Sequence, residues 1–319
     1  MELFKEPLYR RYHAQWFTSA HLISIAFKIS LFLLPIFLAY PSYGNEGIWI
    51  KQNIYREQPI VAYKYKLILI LEAVDTLGNP KQIFYSTLPQ INESRQKTFR
   101  MANIKSEEID NNNDGKLDQL ELKLAIPLFP NESIHSIQAL IFFDYQLLSH
   151  AKISMESLVY IQKSFPLPSL GLSTFGNLKF RQTLPLPVRE QISTLYVNSP
   201  LLEGKKKSKE SKVIYSARDT NIEQILQKYS KRAYTIEYEE LYLNWKTNFG
   251  RLSNFSSNDE YEYKDFHFHA TINYPLQEVR YIPTVLEVLK DAWIKYLSLA
   301  VIVGYFLNKI SSFVFFHQM

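Results

Sequence analysis

The chain has 319 residues, 36 lysines and arginines against 31 acidic residues, a formal charge of +5, and no cysteine. The lack of cysteine excludes disulfides and thiolate metal sites. A folded middle region must therefore be held by its own core, which a segment beyond about 150 residues is large enough to build. Part of the basic excess lies in one Ser/Lys/Glu-rich insert, residues 205–212, which reads as a solvated loop rather than a nucleic-acid face.

Residues 1–21 form a tail, and residues 22–40 are the first apolar segment, close to the ~20 residues a helix needs to cross hydrocarbon. Lys28 interrupts it, with a stem that can carry the ammonium towards headgroups, and Pro35 is a residue that membrane helices tolerate. A cleaved secretory signal is the rival reading. The twenty or so preceding residues and the absence of a small-x-small pattern around Leu38–Pro41 favour a retained anchor.

Residues 41–283 are mostly polar and rich in tyrosine. Val61–Leu71 alternates with period two, as a half-buried strand does, and Asp75–Pro80 reads as a turn. Further strands are expected at Lys81–Leu88, Lys97–Ile104, Lys116–Ile126, Ile134–Leu148, Ile153–Phe165, Leu178–Leu186 and Phe266–Tyr274. Ile134–Leu148 is also long and apolar enough for a helix. Thr220 and Glu223 fit a capping box ahead of Ile222, Ile225, Leu226 and Tyr229 on one helical face. The fold class expected is a mainly β extracytoplasmic domain, antiparallel and sandwich-like, with a helix in its second half, held between two transmembrane helices.

Pro283 marks a helix start, and no breaker follows Thr284 until Gly304. A juxtamembrane stretch, 284–292, thus continues into the second apolar segment, 293–316, with Trp293 and Tyr296 at one end and Lys309 near the other. Residues 317–319 end the chain. Two spans put both tails on one side. Lys5, Arg10, Arg11 and Lys28 favour the cytosol for them, while Lys290 and Lys295 pull the other way. Glycosylation sequons at Asn92, Asn131 and Asn254 favour a middle region facing the lumen or exterior.

The sharpest chemical motif runs from Asp110 to Glu121 and fits the calcium-loop pattern D-x-[DN]-x-[DN]-G-x5-E. Asp110, Asn112, Asp114 and Asp118 would offer side-chain oxygens, Lys116 its carbonyl and Glu121 both carboxylate oxygens, with Gly115 permitting the sharp turn. Leu120, Leu122, Leu124 and Ile126 alternate as a strand, so the context is not an EF-hand, and Asn, Asp and Gly also make turns without metal. Any calcium would be structural. His267 and His269 face one way on a strand but lack a third ligand, and the packing of Phe266 and Phe268 explains the alternation. There is no nucleophile elbow, P-loop, zincin motif or dinucleotide fingerprint, and with nine glycines the chain is poor in phosphate-cradling loops. No catalytic residue and no cofactor other than calcium is expected.

Several stretches in order resemble the transmembrane protein 231 family of the ciliary transition zone. They are Tyr55–Pro59, Asp110–Lys116 running into Leu120–Leu128, Ser164–Pro168, Gly176–Leu178 and Asn273–Pro275. The resemblance implies a two-pass, non-enzymatic protein of the tectonic-like (Meckel syndrome) complex, hetero-oligomeric with other transition-zone membrane proteins. There it would help form a diffusion barrier that controls ciliary membrane composition and supports cilium assembly. The lysine-rich insert and the absence of cysteine depart from that family's pattern, and Glu121 is particular to this chain. The competing function class is a calcium-dependent adhesion or receptor ectodomain. A membrane-bound hydrolase or channel subunit ranks third.

Overall fold

The structure, a computed structural model, describes residues 13, 15–42, 49–130, 132–189, 191–196, 199–202, 205–206, 213–214, 221–247 and 264–317. The elements in chain order are α1 (Ser19–Ser42), β1 (Asn53–Glu57), β2 (Ile60–Asp75), β3 (Pro80–Ser86), α2 (Pro89–Ser94), β4 (Asn103–Ile109), β5 (Gln119–Leu128) and β6 (Glu132–Leu147). There follow β7 (Ile153–Gln182), β8 (Leu186–Pro187), β9 (Ser193–Leu195), β10 (Lys205–Lys206), β11 (Val213–Ile214), α3 (Ile222–Ser230), β12 (Tyr234–Thr247), β13 (Lys264–Asn273), β14 (Gln277–Ile282) and α4 (Val285–Phe316). The chain divides into two compact units, one being Ile54–Ile282 and the other the flanking segments Met1–Asn53 and Pro283–Met319.

The first unit is mainly β, as its alternation foretells. Its main sheet has the order β3-β2-β6-β7-β13-β5-β4, with β12 and β9 also on β7. Most pairs are antiparallel, but β13 and β9 run parallel to β7. The sheet curls so that one face closes on a core drawn from β2, β5, β6, β7 and β13, including Leu69, Leu124, Phe143, Leu172 and Phe268. The opposite face of β2 and β6 is covered as well: Ile68, Ile70, Leu140 and Phe142 pack with Ile91 of α2 and with Ile222, Ile225 and Tyr229 of α3. Burial on both faces turns a strand into a continuous apolar run. That is why the Ile134–Leu148 run has no clean period two; it is a strand, not a helix.

Four expected elements shift. The segment Lys97–Ile104 holds a turn and a single bridge from Phe99 to Phe84, and the strand begins only at Asn103. Leu186 falls in β8, while Ile153–Phe165 and the first part of Leu178–Leu186 belong to one strand, β7, which ends at Gln182. It pairs with β6 up to Ser164, where Ser136 is the partner, and resumes at Ser169 opposite Ile134. Pro166 and Pro168 between them lack ladder donors, so the strand bulges there without ending. Finally, α3 is capped by Asn221, whose Oδ1 accepts the Glu223 N–H at 3.1 Å. Thr220 lies outside the described residues. In the lysine-rich insert Lys205–Lys206 pairs with Val213–Ile214, and residues 207–212 also lie outside.

The second unit is a helix pair. α1 and α4 are both long and apolar enough to cross a membrane, and only 11 % and 6 % of their apolar stretches is buried, unlike the core helix of a soluble domain. Phe37 and Val301 are each 71 % exposed. The helices touch where Phe32 meets Tyr296, ring centroids 6.1 Å apart, and where Leu31 lies beside Gly304. At 32 residues α4 is about 48 Å long against a hydrocarbon core of about 30 Å. That excess leaves room for the early turns that carry Glu287, Lys290 and Asp291 ahead of Trp293.

Candidate functional site

The Asp110–Asp118 segment reverses the chain between β4 and β5. Asn113 and Gly115 take left-handed backbone (φ +56° and +83°), a conformation open to Asn and Gly at little cost. Short polar side chains close the loop on its own amides. Asp110 Oδ2 accepts the Gly115 N–H at 3.0 Å, Asn112 Oδ1 that of Asp114 at 2.9 Å, and Asp114 Oδ1 that of Lys116 at 2.8 Å. Asp110 Oδ1 is buried without a hydrogen-bond partner. The structure thus gathers Asp110, Asn112, Asp114 and Lys116 at one turn.

Asp118 closes the turn on one side and reaches out of it on the other, and Glu121 is engaged elsewhere. Asp118 Oδ2 accepts the Asn111 N–H at 3.0 Å, and its Oδ1 accepts Gln58 Nε2 at 2.6 Å. Glu121 lies on β5, where extended backbone carries it away from the turn instead of winding back as a helix would. Its carboxylate accepts Lys123 Nζ at 2.8 Å, and that bond holds its pKa below the usual carboxylate range. Among the described residues no group of three or more His, Asp or Glu side chains is placed to hold a metal ion.

Stretches far apart in sequence meet here. Gln58 reaches Asp118, whose backbone carbonyl accepts the Tyr274 N–H at 2.8 Å. Asn273 Nδ2 donates to Asn177 Oδ1 at 3.1 Å, and Gln277 spans Leu178 and Phe180, donating to the first carbonyl and accepting from the second amide, both at 2.8 Å. Glu57 accepts the N–H groups of Leu148 and Ser149 at 2.8 and 2.9 Å, while the Tyr55 ring packs edge-on to His150 and Tyr281. Burial pushes the Tyr55 hydroxyl up to about 12. The arrangement is a clasp of neutral and acidic groups tying β1, β5, β7 and β14 together. It presents no nucleophile–base pair.

Sequence reasoning missed two charge networks, one centred on the buried Glu132 carboxylate and one half-buried. Glu132 meets Arg100 (2.9 Å to Nη2) and Lys81 Nζ (2.6 Å), and accepts the Phe129 N–H. Burial alone would raise its pKa, but the Arg100 and Lys81 hydrogen bonds outweigh that and hold it near 2. Lys64 lies 2.9 Å from Asp144 and 3.3 Å from Glu156, which also meets Lys66 at 3.3 Å. Each network joins strands distant in sequence, so no local spacing signals it. His269 Nδ1 lies 3.4 Å from Ser173 Oγ; burial first, then Lys123, lowers its pKa. Phe266 and Phe268 are buried in the core, as the alternation requires.

Of the sequons, Asn92 sits in α2 with its amide nitrogen, the glycan attachment atom, donating to the Ser86 carbonyl at 2.8 Å. Asn131 and Asn254 lie outside the described residues.

Comparison with known proteins fits this layout. A cryo-EM structure of a proton-activated chloride channel aligns over 92 % of this chain and 99 % of that one, at 6 % identity and a TM-score of 0.21, a superposition too loose to carry an argument. Sequence likeness is far closer. Transmembrane protein 231 of Gallus gallus is 30 % identical over 100 % of this chain and 92 % of its own length. The Xenopus tropicalis protein of that name is 30 % identical over 100 % and 93 %, and the Homo sapiens one 29 % over 100 % and 92 %. The family described as Transmembrane protein 231 matches residues 1–319. The chain therefore belongs to the transmembrane protein 231 family.

Proposed function

We propose that this chain is a structural, two-pass membrane component of the ciliary transition zone. It assembles with other membrane proteins of the tectonic-like complex into the barrier that controls which membrane proteins enter the cilium, and it carries no catalytic activity. The observation behind this reading is the family match over residues 1–319 in a chain whose β unit is bracketed by two apolar helices. Both termini lie in the cytosol and the β unit on the other side, an orientation supported by Lys5, Arg10 and Arg11 ahead of α1. Tagged at either end and expressed near its natural level in ciliated cells, the protein concentrates at the ciliary base, and the tags react with antibody only after permeabilisation. Uniform surface label with none at the base would overturn the reading.

The Asp110–Lys116 turn supports a second, smaller proposal: a structural calcium ion held by Asp110, Asn112, Asp114 and the Lys116 carbonyl, with Asp118 and Glu121 left to their protein partners. The unpartnered Asp110 Oδ1 favours it. Millimolar calcium then raises the melting temperature of the full chain and has no effect on Asp110→Asn. Equal melting with calcium and with chelator removes both the ion and the adhesion-receptor alternative that depends on it.

A further inference from the structure

Lys28 stands on α1 nine residues after Ser19 and fourteen before Ser42. At 1.5 Å per residue that is about 14 Å and 21 Å from the two helix ends. A lysine stem covers about 6 Å, so its ammonium reaches neither end of α1. Lys309, the other lysine within an apolar stretch, is seven residues from Phe316, about 10 Å, and so stands nearer its helix end than Lys28 does.

The surroundings of Lys28 are apolar. Leu31 and Phe32 of α1 with Tyr296, Leu297, Ala300 and Val301 of α4 line an open cleft of about 490 Å³ beside it. The two helices are already packed at this level: Leu31 Cδ1 lies 3.2 Å from where a Cβ on Gly304 would stand. That contact brings Lys28 no counter-charge. α1 contains no acid, and the two in α4, Glu287 and Asp291, lie on its early turns. Glu287 accepts Asn53 Nδ2 at 3.0 Å, and Asp291 meets Lys295 at 2.5 Å. Among the described residues Lys28 has no ion-pair partner.

A charge at this depth calls for an anion at this depth. A lipid phosphate stays at the interface, beyond the reach of the stem, whereas a carboxylate on a helix stands wherever the sequence puts it. We propose that Lys28 is the docking charge for a transmembrane helix of another protein that carries an aspartate or glutamate near mid-bilayer, that helix lying in the cleft formed by Leu31, Phe32, Tyr296, Leu297 and Ala300. The proposal rests on the assembly reading above and supplies the membrane contact for it.

The test uses the full chain in ciliated cells. Because the chain has no cysteine, Ala300→Cys gives a single crosslinking handle in the cleft. Wild-type Lys28 yields a crosslinked membrane protein whose span contains Asp or Glu. Lys28→Leu lowers that yield roughly three- to tenfold, the range one interhelical polar contact supports, while Lys28→Arg and Lys309→Leu retain it. Lys28→Glu combined with a lysine in place of the partner's acid restores it. An unchanged yield from Lys28→Leu overturns the proposal and leaves the assembly reading standing. A captured span without an acid also overturns it, as does a Lys28→Leu protein that loses only its bound anionic lipid. If wild type co-purifies with no membrane protein at all, the assembly reading falls and this contact falls with it.

Discussion

In the β unit the Glu132 side chain is only 3 % exposed, yet Arg100, Lys81 and a backbone amide meet it, and Lys64 and Lys66 face Asp144 and Glu156. In the helix pair Lys28 lies among leucine, phenylalanine and tyrosine with no acid at its level. Burying a charge is tolerable when a partner and hydrogen bonds come with it, and expensive otherwise. In the β unit these charges meet partners within the chain, whereas Asp110 Oδ1 is left without one. In the helix pair Lys295 meets Asp291, while among the described residues Lys28 has no ion-pair partner. On the docking proposed above, Lys28 takes its counter-charge from another protein, so the β unit is expected to hold without that protein and the helix pair to gain from it.

The contrast is tested most strongly at the core. Phe142 is fully buried on the face of β6 covered by α2 and α3. Phe142→Ala is expected to cost about 3–5 kcal/mol in chemical denaturation of the detergent-solubilised chain; a loss below about 1 kcal/mol would mean that face is not packed. Next comes Glu132→Gln, which leaves the mostly buried Arg100 without its counter-charge at a cost of about 3 kcal/mol. Because the folded pKa near 2 lies below the ordinary 4.5, this group stabilises the fold fully above about pH 4.5. That contribution fades as pH falls towards 2. A pH titration of stability should show this acid limb in the wild type and a shallower one in the variant.

A third test probes the β7–β12 seam. A Cβ at Gly176 would press on the Glu239 carbonyl oxygen and come within 2.7 Å of the Tyr238 ring. Backbone cannot yield as a side-chain end can, so Gly176→Ala is expected to cost about 2 kcal/mol by the same denaturation. Gly115→Ala makes a matched control. Nothing lies within 4 Å of its Cβ, and only the left-handed backbone resists, for about 1 kcal/mol.

What the sequence revealed, and what it hid, follows from how each segment is buried. The terminal helices and α3 were readable because their apolar residues are dictated by one partner, lipid or one sheet face. β5 was readable because every second residue from Leu120 to Leu128 enters the core. β12 was not, since most of its residues after Ile236 are exposed or half-exposed and carry no period. The continuity of β7 was hidden by Pro166 and Pro168, which ordinarily end a strand and here only bulge it. At the site, the turn from Asp110 to Lys116 is local and could be read. The commitment of Asp118 to Gln58, sixty residues away, belongs to tertiary structure alone.

The smallest effect separates two assignments of one helix start. A cap works by accepting an amide hydrogen that has no partner within the first turn. Asn221 does this for Glu223 at 3.1 Å, with β-region backbone (φ −69°, ψ 113°) suited to the position. Asn221→Ala should therefore cost about 1 kcal/mol. The capping-box reading places that role on Thr220 and predicts the same loss from Thr220→Ala instead. Since α3 covers Ile68 and Phe142 on the outer face of the sheet, amide exchange in residues 222–230 should report the difference before global unfolding does. Faster exchange in Asn221→Ala with Thr220→Ala near wild type supports the Asn221 cap, and the reverse pattern restores the capping box.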